Sequence, residues 1–103
     1  VRLTNRKPFF GPGMVTLLRE IESLGSVREA SEKTGISYSK AWSMIRDAEK
    51  ESGQTLVERQ PGGKFGGAAN VSKAGKEMLE KYEQLEQAVE SYTTKKYQEI
   101  FQN

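Results

Sequence analysis

The chain has 103 residues and a mass of 11.6 kDa, enough for one domain with one appended element. Hydrophobic residues are 35% and charged residues 29%, so one modest core is available and much of the surface stays wet. With no Cys, no His, no apolar run near the roughly 18 residues of a membrane span and no signal-peptide pattern, the composition excludes disulfides, thiolate chemistry and Cys-ligated zinc. A soluble, cytoplasmic, non-enzymatic domain without cofactor or metal is expected.

In chain order, Val1 and Leu3 alternate with polar residues up to Pro8, which suits a short edge strand ending near Phe10. Gly11-Pro12-Gly13 is expected to stop regular structure. Met14, Leu17, Leu18, Ile21 and Leu24 recur at spacings of three and four, one face of a helix that Gly25 ends. Ser26-Val-Arg-Glu29 is a capping-box pattern. The short helix it opens turns Val27, Ala30, Ser31 and Thr34 inward, and Gly35 ends it. Ile36 follows as an apolar pin and Ser37 as a second N-cap. Ala41, Met44/Ile45 and Ala48 then give the next helix its inward stripe, running to Gly53.

Leu56-Val-Glu-Arg59 reads as a strand, and Asn70-Val-Ser72 as its partner. Between them, two Gly pairs flank Lys64-Phe65, the composition of a mobile hairpin tip. Ser72 caps a last helix from Lys73 to near Phe101, about 40–45 Å long. On it Met78, Tyr82, Leu85, Val89 and Tyr92 alternate spacings of four and three, a two-heptad seam. Beyond Tyr92 the register slips, with Lys96 and Glu99 at the seam positions. Residues 1–72 cannot cover such a helix along its length, so its outer half is expected to pair with a second copy.

A helix-turn-helix needs small residues where its helices touch, a glycine in the turn and apolar pins on both sides. Ala30 and Ser31, Gly35, and Thr34, Ile36, Ala41 and Met44 supply them. Followed by strand, Gly-rich tip and strand, this order specifies a mainly α fold. Residues 1–72 form a winged helix-turn-helix with a two-stranded wing, and 73–103 a long dimerisation helix. The second helix of the pair keeps one face free, carrying Tyr38, Ser39, Ser43, Arg46 and Lys50 with Lys40 at its edge. These are side chains that reach base edges and phosphates in a major groove. Arg59 and Lys64 stand where a wing approaches phosphates or the minor groove. Asp47 and Glu49 would repel phosphate, so the end of this helix is expected to tilt away from DNA. Trp42 falls between the inner and outer faces and is expected to pack partly buried rather than stack on bases.

The loop from Gly62 to Gly67 lacks the glycine spacings of nucleotide-binding loops, and Glu77, Glu80, Glu83, Glu86 and Glu90 suit a solvated helix face. Residues 1–72 hold 11 Lys and Arg against 8 Asp and Glu, a net of +3, and residues 73–103 a net of −1. That mild balance leaves open an alternative, a winged-helix module that holds another protein and has no DNA role.

The stretches Phe9-Phe-Gly-Pro-Gly-Met-Val-Thr-Leu-Leu18, Gly25-Ser26, Ile36-Ser-Tyr-Ser-Lys-Ala-Trp42 and Pro61-Gly-Gly-Lys-Phe-Gly-Gly-Ala68 resemble a known family. It is the N-terminal DNA-binding domain of ModE, the molybdate-responsive bacterial regulators, related to the LysR-type winged helix. The resemblance runs from residue 9 to about 90. It implies a homodimeric, sequence-specific transcriptional regulator of double-stranded DNA, with the helix at about 37–51 in the major groove and the long helix making the dimer. It also implies Ser37, Tyr38, Ser39, Lys40 and Ser43 as readers and Arg59 and Lys64 as wing contacts. Oxyanion-binding domains that sense molybdate follow in that family. The sequence ends at Asn103 without them, so molybdate is not expected to bind this chain.

Overall fold

In the computed structural model, which describes residues 10–60 and 68–102, Gly11 caps helix α1 (Pro12–Leu24). Pro12 sits at the helix start, where its fixed φ suits the first turn and its missing N–H costs nothing. Gly11-Pro12-Gly13 therefore opens the helix instead of standing outside it. The expected edge strand before Phe10 and the Gly-rich tip with Lys64 lie outside the described residues.

Helices α2 (Val27–Thr34), α3 (Tyr38–Ser52) and α4 (Lys73–Phe101) each begin on a serine. Ser26 Oγ accepts from the Glu29 amide at 3.1 Å, Ser37 Oγ from Lys40 at 3.0 Å and Ser72 Oγ from Gly75 at 3.0 Å. Each satisfies one of the amides a helix start leaves orphaned. Between α2 and α3, Gly35 adopts φ 78°, and the Ile36 amide donates back to the Ser31 carbonyl at 3.0 Å. That bond needs the left-handed residue between them, which a side chain resists.

Strands β1 (Val57–Arg59) and β2 (Ala69–Val71) pair antiparallel, with Val57 opposite Val71, Glu58 opposite Asn70 and Arg59 opposite Ala69. The α1–α2 link joins them as an unanticipated third edge: the Ala69 amide donates to Gly25 O at 2.9 Å, and Ser26 bridges Ala68.

The core is drawn from every element. Leu17, Leu18 and Ile21 of α1, Val27 and Ala30 of α2, Ala41, Ile45 and Ala48 of α3, and Leu56, Val57 and Val71 at the sheet are all buried. Their burial removes the apolar face of each helix from water, the main favourable term in folding. Ser31, buried at the α2–α3 crossing, satisfies its hydroxyl by donating to Arg28 O at 2.7 Å.

Helix α4 enters this core only at its foot. Gly75 and Leu79 are buried, while Met78 and Tyr82 pack half-buried against the cluster, Tyr82 with Phe10 edge-to-face at 5.8 Å. Those two members of the expected seam are thus engaged within the chain itself, because the first turns of α4 lie over α1 and β2. The rest of the helix, from Glu83 on, is exposed, and the described residues extend 60 × 28 × 23 Å. An exposed Arg19–Glu86 ion pair at 3.3 Å crosses from α1 to α4. Among the described residues, no helix is long and apolar enough to cross a membrane.

Candidate nucleic-acid interface

Helix α3 is fixed on three sides. Ala41, Ile45 and Ala48 bury its inner stripe. Met44 lies toward the start of α1, where its Cε is 3.7 Å from the position a Cβ on Gly13 would take. On the other flank Trp42 meets β1: the Arg59 guanidinium carbon stands 4.1 Å from the centre of its ring. Glu49 lies on that flank too, and its Oε2 accepts from the Leu56 and Val57 amides at 2.8 and 3.2 Å. The carboxylate expected to repel phosphate is thus turned inward and spent on the root of β1. Asp47 remains exposed.

What stays open is the side of α3 opposite its core stripe. Ser39, Arg46 and Lys50 are exposed there and Ser43 is half-buried, at spacings of four, three and four that keep them in one line. Lys40 is exposed at the edge nearer Met44. Ser37 is exposed but its oxygen is engaged as the helix cap, which leaves its hydroxyl proton to donate.

Tyr38 is not on the open line. It is half-buried, with its ring edge-to-face with Trp42 at 6.5 Å and the Arg28 guanidinium carbon 4.3 Å from its centre. Trp42 is half-buried and packed against the core, the role its position between the two faces suggests. Its Nε1 is buried without a hydrogen-bond acceptor among the described residues. Arg59 is exposed on β1, and Lys64 lies outside the described residues. Sequence reasoning missed Arg28. The signal available was an arginine ten residues before a tyrosine across a tight turn, which is too general to act on.

A half-free α3 gripped between α1 and a two-stranded sheet, with a long helix rising from the sheet, defines a winged helix-turn-helix domain with a long C-terminal helix. The chain belongs to the lysR family of bacterial regulatory helix-turn-helix proteins, whose family signature matches residues 14–76. It is 38% identical over 77 residues to the transcriptional regulator ModE of Yersinia pestis, covering 75% of this chain and 29% of that protein. To the DNA-binding transcriptional dual regulator ModE of Escherichia coli K12 it is 37% identical over 82 residues, covering 80% and 31%. The crystal structure of ArgP from Mycobacterium tuberculosis superposes with a TM-score of 0.60 at 23% identity, over 84% of this chain and 30% of that one, which shows the shared fold. The chain spans about 30% of the length of these relatives.

Proposed function

We propose that the chain binds double-stranded DNA in a sequence-dependent manner, as a homodimer, and so regulates transcription. The observation that carries this reading is the open line Ser39, Ser43, Arg46 and Lys50, set on a helix whose other three sides are immobilised. A rigid helix with donors and cations on one face is the element that enters a major groove. In this reading Ser39, Lys40 and Ser43 meet base edges or adjacent phosphates, Arg46 and Lys50 the backbone, and Arg59 with the Gly-rich loop at 60–69 forms the wing. The exposed outer half of α4, with Leu85, Val89 and Tyr92, joins two copies.

Selection of genomic fragments by the purified protein supplies the duplex for the test. Phosphate contacts supply much of the affinity, so binding falls steeply with salt. Lys40→Ala weakens binding to the selected duplex, and Lys64→Ala lowers affinity on all sequences alike, because a backbone contact carries no code. If selection recovers no fragment and random-sequence DNA is not bound at low salt, the protein-interaction module is supported instead.

A further inference from the structure

Two arginines from different elements rest on aromatic rings along the same flank of α3. Arg28 comes from α2 and lies over Tyr38 at 4.3 Å, while Arg59 comes from β1 and lies over Trp42 at 4.1 Å. Tyr38 and Trp42 are four residues apart, successive turns of one helix edge, and touch edge-to-face at 6.5 Å. The result is a continuous row, arginine–tyrosine–tryptophan–arginine, that runs from the first helix of the pair to the wing. Both arginines are exposed, and neither forms an ion pair among the described residues.

Stacking uses the flat face of a guanidinium and leaves its edge free. That edge carries a rigid fork of N–H donors that fits phosphate with two parallel hydrogen bonds. An arginine already held against a ring has given up much of its rotamer freedom before the phosphate arrives, so less is lost on binding. The aromatic residues themselves are poorly placed to read bases. One face of Tyr38 is covered by Arg28, and the sole hydrogen-bonding atom of the Trp42 side chain is buried.

We propose that Arg28 is a backbone-phosphate contact on the α2 side of the recognition helix, the counterpart of Arg59 on the wing side. Tyr38 and Trp42 are positioning residues that hold the two guanidinium forks ready. The proposal rests on the DNA-binding reading above and adds to it a cation outside α3 and the wing.

The test is fluorescence anisotropy on a selected duplex and on a random duplex across a salt series. Arg28→Ala lowers affinity on both, by roughly fivefold to tenfold, and flattens the salt slope by about 0.9, the value of one phosphate contact. Tyr38→Leu lowers affinity by a smaller factor, and Tyr38→Phe, which keeps the ring, restores most of that loss. Once Arg28 is alanine, Tyr38→Leu has no further effect, because the two act as one unit. Arg28 is exposed, so Arg28→Ala carries the test even if Tyr38→Leu unfolds the domain. The proposal is overturned if the wild type binds the selected duplex but Arg28→Ala leaves affinity and slope unchanged, or if the two losses simply add. If the wild type binds no duplex at all, the DNA reading itself falls, an outcome distinct from either of these.

Discussion

Glu49 on α3 holds the amide of Leu56 at the root of β1, with its Oε2 accepting at 2.8 Å. The same oxygen takes the Val57 amide at 3.2 Å, so one carboxylate fastens α3 to β1. Glu49→Ala leaves two partly buried amides without that partner and is expected to cost about 1.5–3 kcal/mol, the range for hydrogen bonds to a charged group. Glu49→Gln keeps an oxygen in place and costs less. Urea denaturation of the three proteins measures both.

Gly75 marks the closest approach of α4 to the sheet. A Cβ there would stand 2.6 Å from Val71 Cγ1 and 2.7 Å from the Leu56 carbonyl oxygen. Gly75→Ala should gain up to about 1 kcal/mol of helix propensity, yet the clash with backbone outweighs it. A net loss of roughly 1–2 kcal/mol is expected, seen as a lower thermal midpoint.

The expected seam divides at Tyr82. Leu85 and Val89 are 42% and 44% exposed, whereas Met78 and Tyr82 pack on the protomer core. If the outer half of α4 joins two copies as proposed, replacing Leu85 and Val89 together by glutamate should yield monomers that remain folded. Met78→Ala should destabilise the protomer itself, by about 1 kcal/mol. Sedimentation velocity and thermal unfolding, run side by side, separate the two effects.

Asp47 is exposed next to Arg46 near the open line of α3. If that line faces phosphate, Asp47→Asn should raise affinity about twofold to threefold at low salt on selected and random duplex alike, with the gain shrinking as salt screens it. Anisotropy titrations at two ionic strengths check both the sign and the trend.

The elements written locally in the sequence were the readable ones. Ser26, Ser37 and Ser72 cap helices through bonds that span three residues, and the start of α4 follows from its cap. What escaped depends on partners far along the chain. The fate of Glu49 is set by amides seven and eight residues on, and the need for Gly75 by the approach of a sheet. Nothing near Gly25 and Ser26 announces that they will pair with Ala68 and Ala69. The heptad recurrence of α4 runs unchanged from Met78 at its foot to Tyr92 in its exposed half, since periodicity records which residues share a face and not what covers it. For the candidate site, the open line of α3 was visible from spacing, but the removal of Tyr38 from it by Arg28 and Trp42 was not.

The foot of α4 is pinned at three points: the Ser72 amide on Leu56 O at 2.8 Å, the Ser72 hydroxyl on Thr55 O at 2.6 Å, and Gly75 pressed against that same carbonyl. The helix from Glu83 on, exposed beyond that foot, therefore behaves as a cantilever. A free length of about 28 Å that pivots by about ten degrees at its base swings its tip through about 5 Å. Torque applied at the free end is delivered to Thr55 and Leu56, the residues that lead into the strand bearing Arg59.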